Sequence, residues 1–254
     1  MPVTNIKSEW RGGVLHHFDV ATQETTVSAS AFQFSDDFID AGAGIPAAGS
    51  PATGYAWVKK ITGAAPPTLG QVANAAAGAL AAALTATSEA QESSLYFNDS
   101  LGVDVSKIGQ AEWRAALSVA PSAAGVQAFL GIGSAWVVGP QNLARYAGFG
   151  WTANGNLLIW SKDGTNTYSI AAAQIGGAAI VSDTNQHIFR IDWTNTPTDL
   201  AFYYDGNRVN TVGSITWAGV GANAILQPFA TVYKPSGTGV ATLTIDKIDI
   251  FNTR

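Results

Sequence analysis

The side chains able to carry out chemistry are few: three histidines, 18 acidic residues and no cysteine in 254 residues. His16 and His17 are adjacent, so they cannot form a zinc-binding pair spaced along one helix face, and on a strand they point to opposite sides. His187 follows Thr184-Asn185-Gln186 with no nucleophile motif beside it, and is expected to act in hydrogen bonding rather than as a general base. Without cysteine there is no thiol catalysis, zinc-thiolate centre or disulfide. Gly-x-Ser-x-Gly, Gly-x-Gly-x-x-Gly and Gly-x-x-x-x-Gly-Lys do not occur, so acyl transfer, dinucleotide and P-loop chemistry lack support. No metal site and no cofactor is expected.

Sugar hydrolysis needs two carboxyl groups a fixed distance apart. Candidate pairs are Asp36-Asp37, Glu89 with Glu92, Asp99 with Asp104, and Asp246 with Asp249, and a Glu-x-Asp-x-x-Glu strand face is missing. Asp36-Asp37 reads as a strand entry or turn, Glu89 and Glu92 as flanks of a turn, and Asp246 and Asp249 as a bulge and a solvent face. No catalytic residue is assigned, and the chain is expected not to be an enzyme.

Aromatic rings supply either a core or flat platforms for sugar rings. Trp113, Phe189 and Trp193 have the inward phase of their segments and are expected in the core. Trp136, Trp151, Trp160 and Trp217 lie nearer turns or Gly-rich stretches, and Trp151, Trp160 and Trp217 are the candidate glycan-binding residues.

Those residues need a scaffold, and 254 residues suffice for one large domain with a full core. Only 12% of residues are charged against 47% hydrophobic, which excludes whole-chain disorder. The net charge is −5 with basic residues scattered singly apart from Lys59-Lys60, so nucleic acid is not an expected partner. The Ala-rich run from Val72 to Ala86 is shorter than the roughly 20 apolar residues a bilayer requires, and no membrane span or secretory signal is expected.

From Gln110 onward apolar residues recur at a period of two, the signature of strands. The alternation covers Gln110–Val119, Leu157–Trp160, His187–Trp193, Leu200–Tyr204, Ile225–Tyr233 and Val240–Phe251. Trp113, Ala115, Leu117 and Val119 share one face, with Glu112, Arg114, Ala116 and Ser118 on the other. Asp205-Gly206 between Tyr204 and Arg208 predicts a primed hairpin turn; Asn154-Gly155 and Asp163-Gly164 mark two more turns. The last segment changes phase between Ile245 and Ile248, which predicts a bulge near Asp246. Gly70–Glu92 is ambiguous, helical by composition yet alternating at Leu80, Ala82 and Leu84. Residues 41–54 form a surface loop, and residues 1–33 an arm with a small hairpin around Trp10–Val20.

Several stretches resemble tailed-bacteriophage virion proteins with a concanavalin A-like (laminin G-like) jelly roll: Phe34-Ser35-Asp36-Asp37-Phe38, Thr85 to Asp99, Glu112-Trp113-Arg114-Ala115, His187 to Asp192, Phe202-Tyr203-Tyr204-Asp205-Gly206, and Leu243 to Ile248. The opening Pro2 to Trp10, with Gly13-Val14-Leu15 and Phe18-Asp19, is similar to the N-terminal arm of phage head-decoration and fibre-type proteins. The resemblance implies an all-β jelly-roll sandwich of two antiparallel sheets at 34–254 and a strand rather than a helix in Gly70–Glu92. It further implies a structural protein of the virion surface, made in the host cytoplasm, with the major capsid protein or other virion proteins as partners. Ile6, Trp10, Val14, Leu15 and Phe18 would then supply capsid or oligomer contacts in a homo-oligomer, a trimer being one such state. The alternative is a carbohydrate-binding fibre or tail module that recognises surface glycans. One departure from the superfamily pattern is Gln186, where a Trp often precedes the His.

Overall fold

A computed structural model describes residues 32–39, 45–49, 56–73, 75, 78–153, 155–170, 174–175, 178–181, 183–209 and 214–253, with the backbone of three strands at 6–11, 14–19 and 25–27. In chain order the first strands are β1 (Ile6–Arg11), β2 (Val14–Asp19), β3 (Thr25–Val27), β4 (Phe32–Asp36), β5 (Val58–Thr62), β6 (Thr68–Gln71) and β7 (Leu80–Ala83). Then come β8 (Gln91–Tyr96), β9 (Val103–Asp104), β10 (Gly109–Val119), β11 (Gln127–Gly133), β12 (Tyr146–Trp151), β13 (Leu157–Lys162) and β14 (Thr167–Ile170). The last are β15 (Gln174–Ile175), β16 (Ala178–Ala179), β17 (His187–Asn195), β18 (Asp199–Tyr204), β19 (Asn207–Arg208), β20 (Ile225–Lys234) and β21 (Thr242–Asn252).

Two antiparallel sheets carry the molecule. Sheet I runs β19-β18-β17-β10-β21-β7-β6 with β4 also on β21, and sheet II runs β14-β13-β12-β11-β20-β8-β5 with β9 also on β20. Their facing sides hold the main core: Phe149 of sheet II meets Phe189 and Phe202 of sheet I edge to face at 5.2 and 5.5 Å. Trp113, Ala115 and Leu117 point into it, as the alternation requires, while Glu112 and Arg114 point outward. Val119 departs from the expected inward phase and is exposed, because the β10–β21 register slips between Ala116 and Val119.

The local chemistry explains the connections. Asp205 and Gly206 take φ of 47° and 78°, the primed turn the pair predicts. The β10–β21 register passes from Arg114 opposite Lys247 to Ala115 opposite Ile245, leaving Asp246 as the extra residue of the expected bulge. Gly70–Glu92 builds β6, β7 and the start of β8; packing of Leu80, Ala82 and Leu84 into the sandwich overrides their helix propensity. In the segment expected as a surface loop, Ile45 is buried and Ala47 bridges Lys59.

β1, β2 and β3 pair with one another in a three-stranded sheet, and the β1–β2 hairpin closes between Arg11 and Val14. The side chains of Ile6, Trp10, Val14, Leu15 and Phe18 lie outside the described residues.

Candidate functional site

The outer face of sheet I holds an open, polar cavity. On β21, outward residues Lys247, Asp249 and Phe251 alternate with the core residues Ile248 and Ile250. Antiparallel pairing then fixes their neighbours. Phe251 stands between Gln33 on β4 and Gln110 on β10, Asp249 between Ser35 and Glu112, and Lys247 beside Arg114. On the far side of β10, Glu112 faces Arg190 and Arg114 faces Ile188 of β17.

Two adjoining hollows lie over these rows. The larger, about 310 Å³, is lined by Gln33, Phe34, Gln110 and Phe251 together with Glu112, Lys247 and Asp249. The smaller, about 200 Å³, is lined by Glu112, Arg114, Ile188, Lys247 and Asp249. They share three residues and form one continuous trough. Within it Lys247 Nζ lies 2.7 Å from Asp249, and Ser35 donates to Asp249 at 2.5 Å. The bond to Asp249 holds the Lys247 ammonium above its ordinary pKa, against partial burial. Arg114 engages Asp246 through Nε at 3.1 Å. Arg190 lies 4.1 Å over the Tyr203 ring beside the trough. Chemically, the trough offers an aromatic surface, amides, two carboxylates and two cations.

Glu112 and Asp249 form the side-by-side carboxylate pair that no sequence motif announced. Directly opposite residues in an antiparallel pair hold their Cβ atoms about 4.5–5.5 Å apart. Asp249 is the solvent-face residue expected, and its neighbour Asp246 sits in the bulge. The cue for Glu112 was its outward phase on β10; its partner could not be named without the strand order.

The three tryptophans expected as glycan platforms are corrected. Trp151, Trp160 and Trp217 are 0%, 1% and 1% exposed, so no sugar ring can stack on them. Trp151 belongs to the inter-sheet core, where it meets Phe189 at 5.4 Å, and Trp217 is part of the same cluster. Trp160 lies on the outer face of sheet II, in a second apolar cluster with Phe129, Tyr146, Leu158 and Phe229, covered by Leu143 and half-buried Trp136. Glycines open the space for it: Cβ atoms added at Gly148 and Gly150 would strike the rings of Phe129 and Trp160. The Gly-rich pattern around Trp151 therefore marks close packing under rings, not exposure.

Other polar clusters hold the scaffold together. Glu92, expected beside a turn, is in β8 and fully buried; it accepts hydrogen bonds from Ser94 at 2.6 Å, Gly139 N at 2.9 Å and Trp136 Nε1 at 3.1 Å. Burial pushes its carboxyl above the ordinary range in spite of those donors. His187 bridges Asp205 through Nδ1 at 2.7 Å and Asp183 through Nε2 at 2.8 Å, in keeping with the hydrogen-bonding role expected for it. Burial opposes the charged ring, yet the two carboxylates raise its pKa, and the bond to His187, with two more from Asn185, lowers Asp183 to about 2. Asp36 caps its own turn at Phe38 N and binds Trp57 Nε1.

No protein-family model matches the chain, and no curated protein matches it. Solved structures do. A protein of unknown function from Shewanella oneidensis aligns with TM-score 0.57 at 13% identity over 92% of this chain and 91% of its own. An endo-β-galactosidase from Clostridium perfringens that releases GlcNAcα1-4Gal aligns with TM-score 0.53 at 15% identity over 89% of this chain and 62% of its own. A glycoside hydrolase family 16 endo-glucanase from Bacteroides ovatus gives 0.51 at 11% identity over 85% and 99%. The fold is a concanavalin A-like jelly roll. The expectation that the chain is not an enzyme is thereby overturned: this jelly roll is shared with glycan-cleaving enzymes, and its trough holds an acid pair. The fold alone does not carry their activity to this chain.

Proposed function

We propose that the protein binds glycans in the trough on the outer face of sheet I. The observation that carries this reading is Phe251, flanked in register by the amides of Gln33 and Gln110 and opening onto a cavity of about 310 Å³. A pyranose has one apolar C–H face and a rim of hydroxyls; an aromatic ring takes the first, and amides and carboxylates take the second. The volume falls in the range of small-molecule sites. The glycan-acting enzymes among the matched structures support the reading at the level of fold.

The test is a titration of neutral oligosaccharides against the protein and its Phe251→Ala variant, with reducing-end release followed in the same samples. Binding that weakens roughly fivefold or more in the variant is expected, since each lost stacking contact costs on the order of 1 kcal/mol. Unchanged affinity in Phe251→Ala overturns the placement. Release abolished by both Glu112→Gln and Asp249→Asn would assign cleavage to the trough.

A second, compatible reading concerns the arm. The likeness of residues 2–19 to phage decoration arms, with β1–β3 paired only among themselves in the described residues, favours attachment of the jelly roll to a virion surface, as a homo-oligomer on the capsid protein. Cosedimentation of the full chain with capsids lacking it should show saturable binding that is lost when residues 1–33 are removed. Binding retained by the shortened chain overturns it.

A further inference from the structure

Like charges stand directly opposite one another in the trough: Glu112 opposite Asp249, and in the next outward row Arg114 opposite Lys247. Such pairs destabilise a sheet, and a face needing only solubility would place opposite signs across the strands. Across β10 and β21 the result is an acidic pair and a basic pair, separated by two residues of strand, about 7 Å; on the β17 side Glu112 faces Arg190 and Arg114 faces Ile188.

Internal ion pairs engage three of these four groups, and one of the three only through a single nitrogen. Lys247 and Asp249 bind each other, and Ser35 adds a bond to Asp249. Arg114 uses Nε for Asp246, and among the described residues its terminal nitrogens have no hydrogen-bond partner. Glu112 has no hydrogen bond or ion pair within 4 Å among the described residues; Arg190 across from it lies over Tyr203, and the charge of Glu112 is felt by Lys247. One carboxylate and one guanidinium fork, i and i+2 on the same strand face, therefore point into the hollow they share. The fork is shaped for a carboxylate, and the carboxylate accepts most strongly from a cationic donor.

The geometry points to a zwitterionic glycan as the ligand of this trough: a sugar carboxylate on Arg114 next to a free sugar amine on Glu112. This rests on the glycan-binding reading above and narrows it to sugars carrying both charges. Ile188, 43% exposed, gives the basic lobe an apolar wall against a ring face. Phe251 and the two glutamines then take the neighbouring unit of the chain.

The probes are an oligomer of glucuronic acid alternating with glucosamine bearing its free amine, the same oligomer N-acetylated, the same oligomer with its carboxyls reduced, and a neutral hexose oligomer. Affinities are measured by calorimetry for the full chain and for Glu112→Gln and Arg114→Gln, both at exposed or half-exposed positions whose folding is checked by thermal melting. The free-amine form should bind roughly tenfold tighter than either modified form. Glu112→Gln should erase only the preference over the N-acetylated oligomer, and Arg114→Gln only the preference over the carboxyl-reduced one. Equal affinity for all three charged-state forms, with the neutral oligomer also bound, overturns the zwitterion inference and leaves glycan binding standing. Failure of all four probes to bind overturns both.

Discussion

Glu112 on β10 and Asp249 on β21 stand side by side in the register of sheet I, each carboxylate lining both hollows of the trough. Their proximity costs the sheet some stability, because like charges repel across a strand pair. Glu112→Gln should therefore raise the melting temperature slightly near neutral pH while altering ligand binding. A variant that lost both stability and binding would point to a structural role instead, and thermal melting beside calorimetry separates the two.

The buried tryptophans should behave as core residues. Trp151→Ala should cost about 3–5 kcal/mol of stability, the usual penalty for emptying an aromatic site. Trp151→Phe should cost less and leave glycan affinity within twofold, read by denaturant unfolding and calorimetry.

Gly148 has no room for a side chain. A Cβ there would sit 2.5 Å from both the Phe129 ring and the Leu130 carbonyl oxygen. Gly148→Ala should destabilise by about 1–3 kcal/mol through overpacking and shift the fluorescence of Trp160, which stacks on Phe129. Gly155, with nothing near its missing Cβ but φ of 68°, should tolerate substitution better than Gly148 while paying a smaller backbone penalty.

Glu92 pins the segment 136–139 to sheet II. Glu92→Ala strands Gly139 N and Trp136 Nε1, at about 1–3 kcal/mol for each buried donor. Because its folded pKa lies above the ordinary 4.5, the contribution of Glu92 is full below that value and is lost as pH rises through the folded pKa. Glu92→Gln should remove that slope from a plot of stability against pH.

His187 gives an opposed pair of pH limits. Its raised pKa means that its contribution is full below the ordinary 6.5 and lost as pH rises through the folded value. Asp183, lowered to about 2, contributes fully above 3.8 and loses its contribution as pH falls through about 2. The clamp is thus complete between 3.8 and 6.5. Melting temperature should decline above that window, and His187→Asn should flatten the decline.

The strands were legible where one face is buried, because period-two alternation and turn chemistry act locally. Asp205-Gly206 and the bulge at Asp246 follow directly from the residues. Leu80 to Leu84 was ambiguous in isolation, since an Ala-rich run satisfies both periods and only packing chooses. Trp160 misled because glycines near a ring look alike whether the ring is exposed or pressed onto them.

The sequence by itself determined the all-β class, the outward phase of Glu112 and Asp249, and the absence of cysteine. Only the tertiary structure decided that β21 lies between β10 and β4, and hence that Gln33, Gln110, Glu112 and Asp249 share one trough. Side-chain phase is a property of a single strand, whereas neighbours across strands are set by sheet order and register, which long-range burial selects.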